Sequence, residues 1–269
     1  MMQTISIVKN LTKILFIQTN KDYDKKLNYM NRFTMIWFNL MEKNNNNNHN
    51  EIVYNIISNF IKQEIEKRKA QGVVIGMSGG IDSSLTSVLA VKALGNQQVF
   101  GLILPDSSLT PKTDTKDAID LAKSLKIKYK VIELNKIKEQ IVNGLPRNKM
   151  ARANLLVRLR MSLLYYYAAA MNRLVLGTGD KSEMMLGYFT KYGDGGADLF
   201  PISDLYKTEV RSLARYLGLP KKIINKKSSA RLWKGQTAEG EIGIKYDEID
   251  KILKYLENNK LAPKIDRKL

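Results

Sequence analysis

Residues 73–84 read Val-Val-Ile-Gly-Met-Ser-Gly-Gly-Ile-Asp-Ser-Ser, and this stretch decides the fold. The apolar run at 73–75 predicts a buried strand, and the stretch 85–94 predicts a helix after it. The loop between them is rich in glycine and serine. Glycine lets the backbone approach an anion closely, while hydroxyls and the first helical N–H groups donate to it. The junction therefore predicts an oligophosphate site at the carboxyl end of a strand.

One acid, Asp82, lies inside this loop. It would repel a phosphate unless a divalent cation lay between them, so Asp82 is predicted to be a Mg²⁺ ligand. The alternative interpretation is a glycine-rich turn in which Asp82 is only a first-turn acid favoured by the helix dipole. The sequence contains no Walker motif, and no lysine of this loop is placed to reach a γ-phosphate. The phosphate loop is therefore of another kind.

Composition limits the chemistry that this chain can perform. It has 269 residues, of which 44% are hydrophobic, enough for one principal domain with a large core. Its formal charge of +18 suits polyanionic partners. The lysines are scattered, so a basic surface explains them at least as well as a nucleic-acid track. No stretch of about 18 apolar residues predicts a membrane span.

Cysteine is absent, and the single histidine, His49, lies in an asparagine tract. These counts exclude structural disulfides, thiolate metal sites, cysteine nucleophiles and histidine triads. Any reaction must use carboxylates, hydroxyls, cations and backbone dipoles. The lack of cysteine and of a secretory leader predicts a reducing, cytoplasmic location.

The chain is predicted to consist of an N-terminal extension at 1–50 and one domain at 51–269. The extension lacks periodicity and ends in an asparagine run, so it is predicted to be disordered, a weak targeting leader, or the result of a start assigned too far upstream. The domain opens with an amphipathic helix ending near residue 69. Helices and strands then alternate at 83–94, 99–104, 113–125 and 129–134. This rhythm predicts an α/β fold, a Rossmann-like parallel sheet with helices on both faces.

A long helix is predicted at 150–171, with apolar residues on more than one face. It is expected to be buried on two sides, by the rest of the domain or by a second chain. The strand 174–176 follows and delivers a second polar, glycine-rich loop at 177–183. Ligands of open α/β sheets bind where such loops meet at the carboxyl edge.

Two groups of motifs resemble known enzymes. The pattern Ser-Gly-Gly-x-Asp-Ser at 78–83 resembles the pyrophosphate loop of ATP pyrophosphatases, which cut ATP between its α- and β-phosphates. The stretch 187–198, Gly-Tyr-Phe-Thr-Lys-Tyr-Gly-Asp-Gly-Gly-Ala-Asp, together with motifs at 201–208 and 232–237, resembles the NAD synthetases. The likeness covers about residues 51–257.

This resemblance implies an adenine nucleotide alpha-hydrolase-like fold and a specific reaction. ATP would activate the carboxylate of deamido-NAD as an acyl-adenylate with release of pyrophosphate, and ammonia would then displace AMP to give NAD. Some members carry a fused glutaminase domain with a cysteine nucleophile. Because this chain has no cysteine, free ammonia or ammonia from a separate protein is the expected donor. Several members bind deamido-NAD between subunits, so a homodimer is expected.

The resemblance also implies roles for individual residues. Asp82 and Glu183 would hold Mg²⁺, and catalysis would depend on Asp82, Glu183, Lys207 and Asp194, with Asp194 or Asp198 accepting a proton or holding ammonium. The implied ATP contacts are Gly76, Met77, Ser78, Gly79, Gly80, Ile81, Asp82, Ser83, Thr178, Lys207 and Ser229. The implied deamido-NAD contacts are Arg158, Lys191 and Asp198.

The chain departs from the family pattern at two places. Residues 228–231, Ser-Ser-Ala-Arg, replace a common Pro-Thr or Pro-Ser that is often followed by an acid. The sequence also stops before a His-Lys pair that many members place near the C-terminus. Two rival functions therefore remain: a tRNA-modifying adenylating enzyme, which the +18 charge favours, and a nucleotide-binding protein that has lost turnover.

Overall fold

The computed structural model of the chain describes residues 46–259. The rest of the predicted N-terminal extension, and residues 260–269, lie outside the described residues. Within the described part, the strands are β1 Val73–Gly76, β2 Val99–Ile103, β3 Lys128–Val131 and β4 Leu174–Leu176. The helices are α1 Asn46–Lys67, α2 Ile81–Leu94, α3 Lys112–Ser124, α4 Asn135–Val142, α5 Lys149–Ala170, α6 Lys181–Leu186, α7 Lys207–Tyr216, α8 Lys221–Ile224, α9 Ala238–Ile242 and α10 Tyr246–Asn258.

The strands form one four-stranded sheet in the order β3-β2-β1-β4, and every pair is parallel. Successive side chains of β1 alternate between two cores: Val73 and Ile75 pack with α1, α2 and α7, while Val74 packs with α5. A strand covered on both faces needs a continuous apolar run, which explains the sequence of β1. The predicted α/β fold with helices on both faces is confirmed.

A third, smaller core joins α6, α9 and α10 beside the end of β4. Its buried members include Leu186, Tyr206 and Tyr246. This cluster places α10 against the start of α7, so residues far apart in sequence meet at the edge where β1 and β4 end. None of the helices within residues 46–259 is long and apolar enough to cross a bilayer.

Two helices differ from their sequence predictions. The first helix begins at Asn46, inside the asparagine run that was expected to be unfolded, and the Asn50 side chain donates to the Ser212 hydroxyl at 3.2 Å. Tertiary contact therefore extends a helix that asparagine propensity does not favour. Helix α5 packs on the sheet through Leu156 and Ala168, yet Tyr166 on its other side is 70% exposed. Within this chain, α5 is buried on one side and not on two.

Candidate active site

The loop between β1 and α2 is held open by its own serines. The Ser78 amide donates to the Ser83 hydroxyl at 3.2 Å, and the two hydroxyls lie 2.9 Å apart. Gly79 has φ +76°, and a Cβ there would lie 2.2 Å from the carbonyl oxygen of Asp114. No side chain of residues 46–259 caps the N-terminus of α2 at Gly80. The first N–H groups of α2 are therefore left without a side-chain cap, as an anion site requires.

A cleft of about 440 Å³ opens at the carboxyl edge of the sheet, where β1 and β4 end. Most predicted ATP-site residues line it. From the predicted set, the lining residues are Gly76, Met77, Ser78, Gly80, Ile81, Asp82, Ser83, Thr178, Glu183, Asp194 and Ser229. Gly79, Lys207, Arg158, Lys191 and Asp198 are not part of the lining. The structure therefore brings together the expected nucleotide residues and separates them from the expected deamido-NAD residues.

Lys207 lies fully buried at the start of α7, behind the phosphate loop. Its ammonium contacts three carboxylates, those of Asp82 at 2.9 Å, Asp180 at 2.8 Å and Glu183 at 2.9 Å. The ring of Tyr246 lies 5.1 Å from the same nitrogen. The two predicted Mg²⁺ ligands are thus joined through one lysine.

The acids of this cluster carry more negative charge than Lys207 can balance. Burial raises the pKa of Glu183 to about 8 and that of Asp180 to about 6, with repulsion among the neighbouring acids adding to it and Lys207 opposing it. Burial alone would lower the pKa of Lys207, but the three acids raise it well above its usual value. A cluster with excess negative charge in a buried site favours an additional cation.

Asp180 was not predicted as a site residue. It caps the N-terminus of α6 by accepting from the Glu183 amide at 2.8 Å, and the Glu183 side chain accepts from the Asp180 amide at 3.3 Å. This reciprocal capping box fixes the direction of the Glu183 carboxylate. The spacing Asp-x-x-Glu at 180–183 was a signal that could have identified it.

The segment 226–237 covers one side of the cleft and is tied to the phosphate loop. Lys226 donates to the Gly79 carbonyl at 2.8 Å and pairs with Asp114 at 2.9 Å. Arg231, which stands at the departure from the family pattern, adopts φ 53° and pairs with Asp114 at 2.9 Å. Ser229 donates to the Gln236 carbonyl at 2.7 Å, so its hydroxyl braces this segment.

The predicted deamido-NAD residues lie away from the nucleotide loop. Arg158 is exposed and donates from Nε to the Lys191 carbonyl at 3.1 Å. Asp198 accepts from the Val175 amide at 2.7 Å and from the Tyr165 hydroxyl at 3.3 Å. It therefore anchors α5 to β4.

Asp194, one of the two residues predicted to act on ammonia, lies in the cleft wall and accepts from the Thr190 amide at 2.7 Å, whereas the other, Asp198, is not part of the lining. Burial raises its pKa, although hydrogen bonds from backbone amides and the charge of Arg160 oppose that rise. A raised pKa makes this carboxylate a better proton acceptor than an ordinary aspartate.

The sequence profile of the NAD synthase family matches residues 53–269. The chain belongs to the NAD synthase family. An NH₃-dependent NAD⁺ synthetase of Archaeoglobus fulgidus is 54% identical over 211 residues, which cover 77% of this chain and 84% of that protein. The enzyme of the same name from Methanocaldococcus jannaschii is 44% identical over 238 residues, covering 87% of this chain and 88% of its own length.

Solved structures of the NAD synthase family and its neighbours share this fold. The NMN synthetase of Francisella tularensis has a TM-score of 0.73 at 39% identity, covering 76% of this chain and 86% of that one. An NH₃-dependent NAD synthetase of Campylobacter jejuni has a TM-score of 0.68 at 36% identity, with coverages of 82% and 87%. The predicted family, enzyme class and adenine nucleotide alpha-hydrolase-like fold are confirmed, and ATP is the family's co-substrate.

Proposed function

We propose that this protein converts deamido-NAD to NAD with ATP and ammonia, releasing AMP and pyrophosphate. The observation that carries the proposal is the joining of the phosphate loop to Glu183 through Asp82 and Lys207 at one edge of the cleft. Attack of a carboxylate on the α-phosphorus builds negative charge on the phosphate oxygens and on the departing pyrophosphate. Cations and oriented N–H donors stabilise such charge without a protein nucleophile.

The chain's own residues divide this work between the two walls of the cleft. Residues 76–83 and Thr178 would bind the triphosphate and the adenosine part of ATP, with Ser229 closing the site from the 226–237 segment. Lys207 would orient Asp82 and Glu183. Asp194 would take a proton from ammonium, or hold ammonia beside the activated carbonyl. Each preorganised donor of this kind typically lowers the activation free energy by a few kcal/mol.

The Asp82–Glu183 pair fits a magnesium ion in its donor chemistry. Hard carboxylate oxygens suit Mg²⁺, which commonly takes one or two carboxylates and completes its shell with phosphate oxygens and water. Within residues 46–259, no group of three acids or histidines forms a metal site by itself. Nucleotide oxygens would therefore supply the remaining ligands. When bound, the ion would neutralise charge on the pyrophosphate leaving group.

We also propose a cytoplasmic homodimer. Arg158 and Lys191 lie together on the surface, outside the cleft, so a dinucleotide reaching both would leave the site along α5. The same helix presents Tyr166 to solvent. A second subunit on this side of α5 would cover it and enclose the distal half of deamido-NAD. Sedimentation of active enzyme as a strict monomer would contradict this assembly.

The test is an assay with ATP, Mg²⁺ and deamido-NAD, run with and without ammonium. NAD, AMP and pyrophosphate are expected in equal amounts with ammonium, and no NAD without it. Formation of ADP and phosphate would overturn the reaction class, and nucleotide binding without turnover would favour the inactive alternative.

Nicotinate mononucleotide is included as a second acid, because the Francisella relative is an NMN synthetase. If the protein prefers the mononucleotide, then the mononucleotide and not deamido-NAD is its substrate. Salt-dependent tRNA binding with tRNA modification would favour the nucleic-acid alternative.

A further inference from the structure

Arg160 lies in the wall of the same cleft that the phosphate loop lines. It stands two positions after Arg158 on α5, and side chains two positions apart on a helix point in nearly opposite directions. Arg158 accordingly lies on the surface, where it donates to the Lys191 carbonyl, whereas Arg160 points inward. The sequence analysis gave a substrate role to Arg158 and none to Arg160, whereas the fold places Arg160 in the cleft wall.

Most of the hydrogen-bonding capacity of Arg160 is unused by the protein. A guanidinium carries five N–H donors. Nε donates to the Leu104 carbonyl at 3.1 Å, which holds the side chain against the end of β2. Within the described part of the chain, Arg160 makes no other hydrogen bond and no ion pair. Its terminal nitrogens therefore remain available to a ligand in the cleft.

The acids near Arg160 do not account for its charge. Burial lowers the pKa of Arg160, while Asp106 and Asp194 act in the opposite direction. Asp106 is already paired with buried Lys138 and accepts from Ser108. Asp194 lines the cleft and lies beyond ion-pair distance of Arg160. A partly desolvated guanidinium without a dedicated partner favours an anion that arrives with the substrate.

We propose that Arg160 recognises the reacting carboxylate of the acid substrate and orients it for adenylation. This inference rests on the proposed function. The planar fork of arginine matches a carboxylate and forms charge-assisted hydrogen bonds. Arg160 would donate to one carboxylate oxygen while the other forms a bond to the α-phosphorus and the bond from that phosphorus to pyrophosphate breaks. Its charge would also offset the repulsion that the entering carboxylate meets from Asp194.

The proposal has a consequence for product release. Deamido-NAD and NAD differ only in a carboxylate and a neutral amide. A carboxylate offers two anionic oxygens to the guanidinium, whereas the amide offers one neutral carbonyl oxygen and an NH₂ group that cannot accept, so Arg160 should hold the acid more firmly than the amide. The residue would therefore discriminate substrate from product.

The experiment compares the affinities of wild type, Arg160→Gln and Arg160→Lys for deamido-NAD, NAD and ATP by titration calorimetry. Arg160→Gln is expected to weaken deamido-NAD binding about 10- to 100-fold and to change NAD and ATP binding less than about threefold. Arg160→Lys, which keeps the charge but not the fork, should recover part of the loss. The matched control is Arg152→Gln, an exposed arginine of the same helix that pairs with Glu139, and it should leave all three affinities unchanged.

Equal weakening of deamido-NAD and NAD would assign Arg160 a structural role and overturn the proposal. A selective loss of ATP affinity would assign it to a phosphate and would also overturn it. Circular dichroism and thermal unfolding identify a misfolded glutamine variant, in which case Arg160→Lys decides the question. Wild type that makes no NAD would refute the proposed function. Wild type that makes NAD, with unchanged acid-to-amide discrimination in both variants, would refute only the role of Arg160.

Discussion

Two buried lysines lie near the carboxyl edge of the sheet, and their surroundings differ. Lys138 on α4 is 3% exposed and pairs with fully buried Asp106. Hydrogen bonds from Lys138 and Ser108 outweigh burial and lower the pKa of Asp106. Lys207 is fully buried among Asp82, Asp180 and Glu183, and burial raises the pKa of the last two.

The number of acids around each lysine distinguishes a charge pair that stabilises the fold from a charged cluster that serves a function. Lys138 meets one buried acid, Asp106, and makes a longer contact at 3.5 Å with exposed Glu139, so little charge is left unbalanced and α4 is tied to the end of β2. A lysine with three acids leaves excess negative charge, which stability alone would not favour. Perturbed pKa values such as those of Asp180 and Glu183 are typical of functional sites. The Lys207 cluster is therefore the better candidate for chemistry.

The largest expected effect separates the lysines directly. Lys207→Met leaves fully buried Asp180 and half-buried Asp82 and Glu183 without a cation, and it is expected to lower the free energy of unfolding by about 5 kcal/mol, against about 3 kcal/mol for Lys138→Met. Urea unfolding at neutral pH measures both. Mg²⁺ should restore part of the loss in Lys207→Met and none in Lys138→Met. Equal losses, or equal responses to Mg²⁺, would remove the distinction between the clusters.

Asp82→Ala tests whether the excess charge serves the reaction. It removes the acid nearest the phosphate loop and is expected to slow pyrophosphate release at least about a hundredfold. Asp120→Ala is the control, because Asp120 is an exposed acid on α3 whose one ion pair within residues 46–259 is with Lys222 at 3.9 Å. The control should keep its activity within about twofold. A similar small change in Asp82→Ala would refute its assignment.

Glu183→Gln tests how much stability the folded protein loses when Glu183 ionises beside the other acids of the Lys207 cluster. Burial raises the pKa of Glu183 from 4.5 to about 8, so the folded protein holds this proton at pH values where the unfolded chain has lost it. Stability contributed by this group therefore falls as pH rises from 4.5 to about 8.

The glutamine variant should match wild type near pH 4 and exceed its stability by about 1 kcal/mol at pH 8. The neutral side chain relieves repulsion from the neighbouring acids, and this gain is reduced because Lys207 loses one charged partner. Denaturant unfolding across this range measures the difference. The variant should also lose the stabilisation that Mg²⁺ with ATP gives wild type. A pH-independent difference would show that Glu183 does not titrate as inferred.

The smallest effect concerns the tyrosine beside Lys207. The buried hydroxyl of Tyr246 has no hydrogen-bond partner within residues 46–259, although its ring faces Lys207. Tyr246→Phe keeps the ring and should stabilise the protein by up to about 1 kcal/mol. Tyr206→Phe is the matched change with the opposite sign, because the Tyr206 hydroxyl donates to Glu257 at 2.7 Å. Thermal unfolding in which both variants lose stability would indicate that the Tyr246 hydroxyl has a partner in solution.

The features that the sequence predicted share one property, which is that they are local. The strand, loop and helix at 73–94 are contiguous, so glycine spacing, apolar runs and the first-turn acid were readable without tertiary information. Among the elements that were predicted after the first helix, bounds differ by only a few residues, whereas α4 and α6 to α9 were not predicted. The second loop, at 177–183, was predicted for the same reason.

Other features needed the tertiary structure. Lys207 meets Asp82 across 125 positions, and nothing in the spacing of either motif predicts that one buried ammonium joins them. That Arg160 and not Arg158 lines the cleft depended on which face of α5 packs toward it. The helix start at Asn46 depended on a contact from Asn50 to α7.

Sequence alone thus determined where a phosphate could bind, because backbone geometry and N–H donors at a strand-to-helix turn come from adjacent residues. The tertiary structure decided which charges face one another and which donors stay free. Those properties arise from long-range packing, which removes water and sets how strongly each acid and base interact.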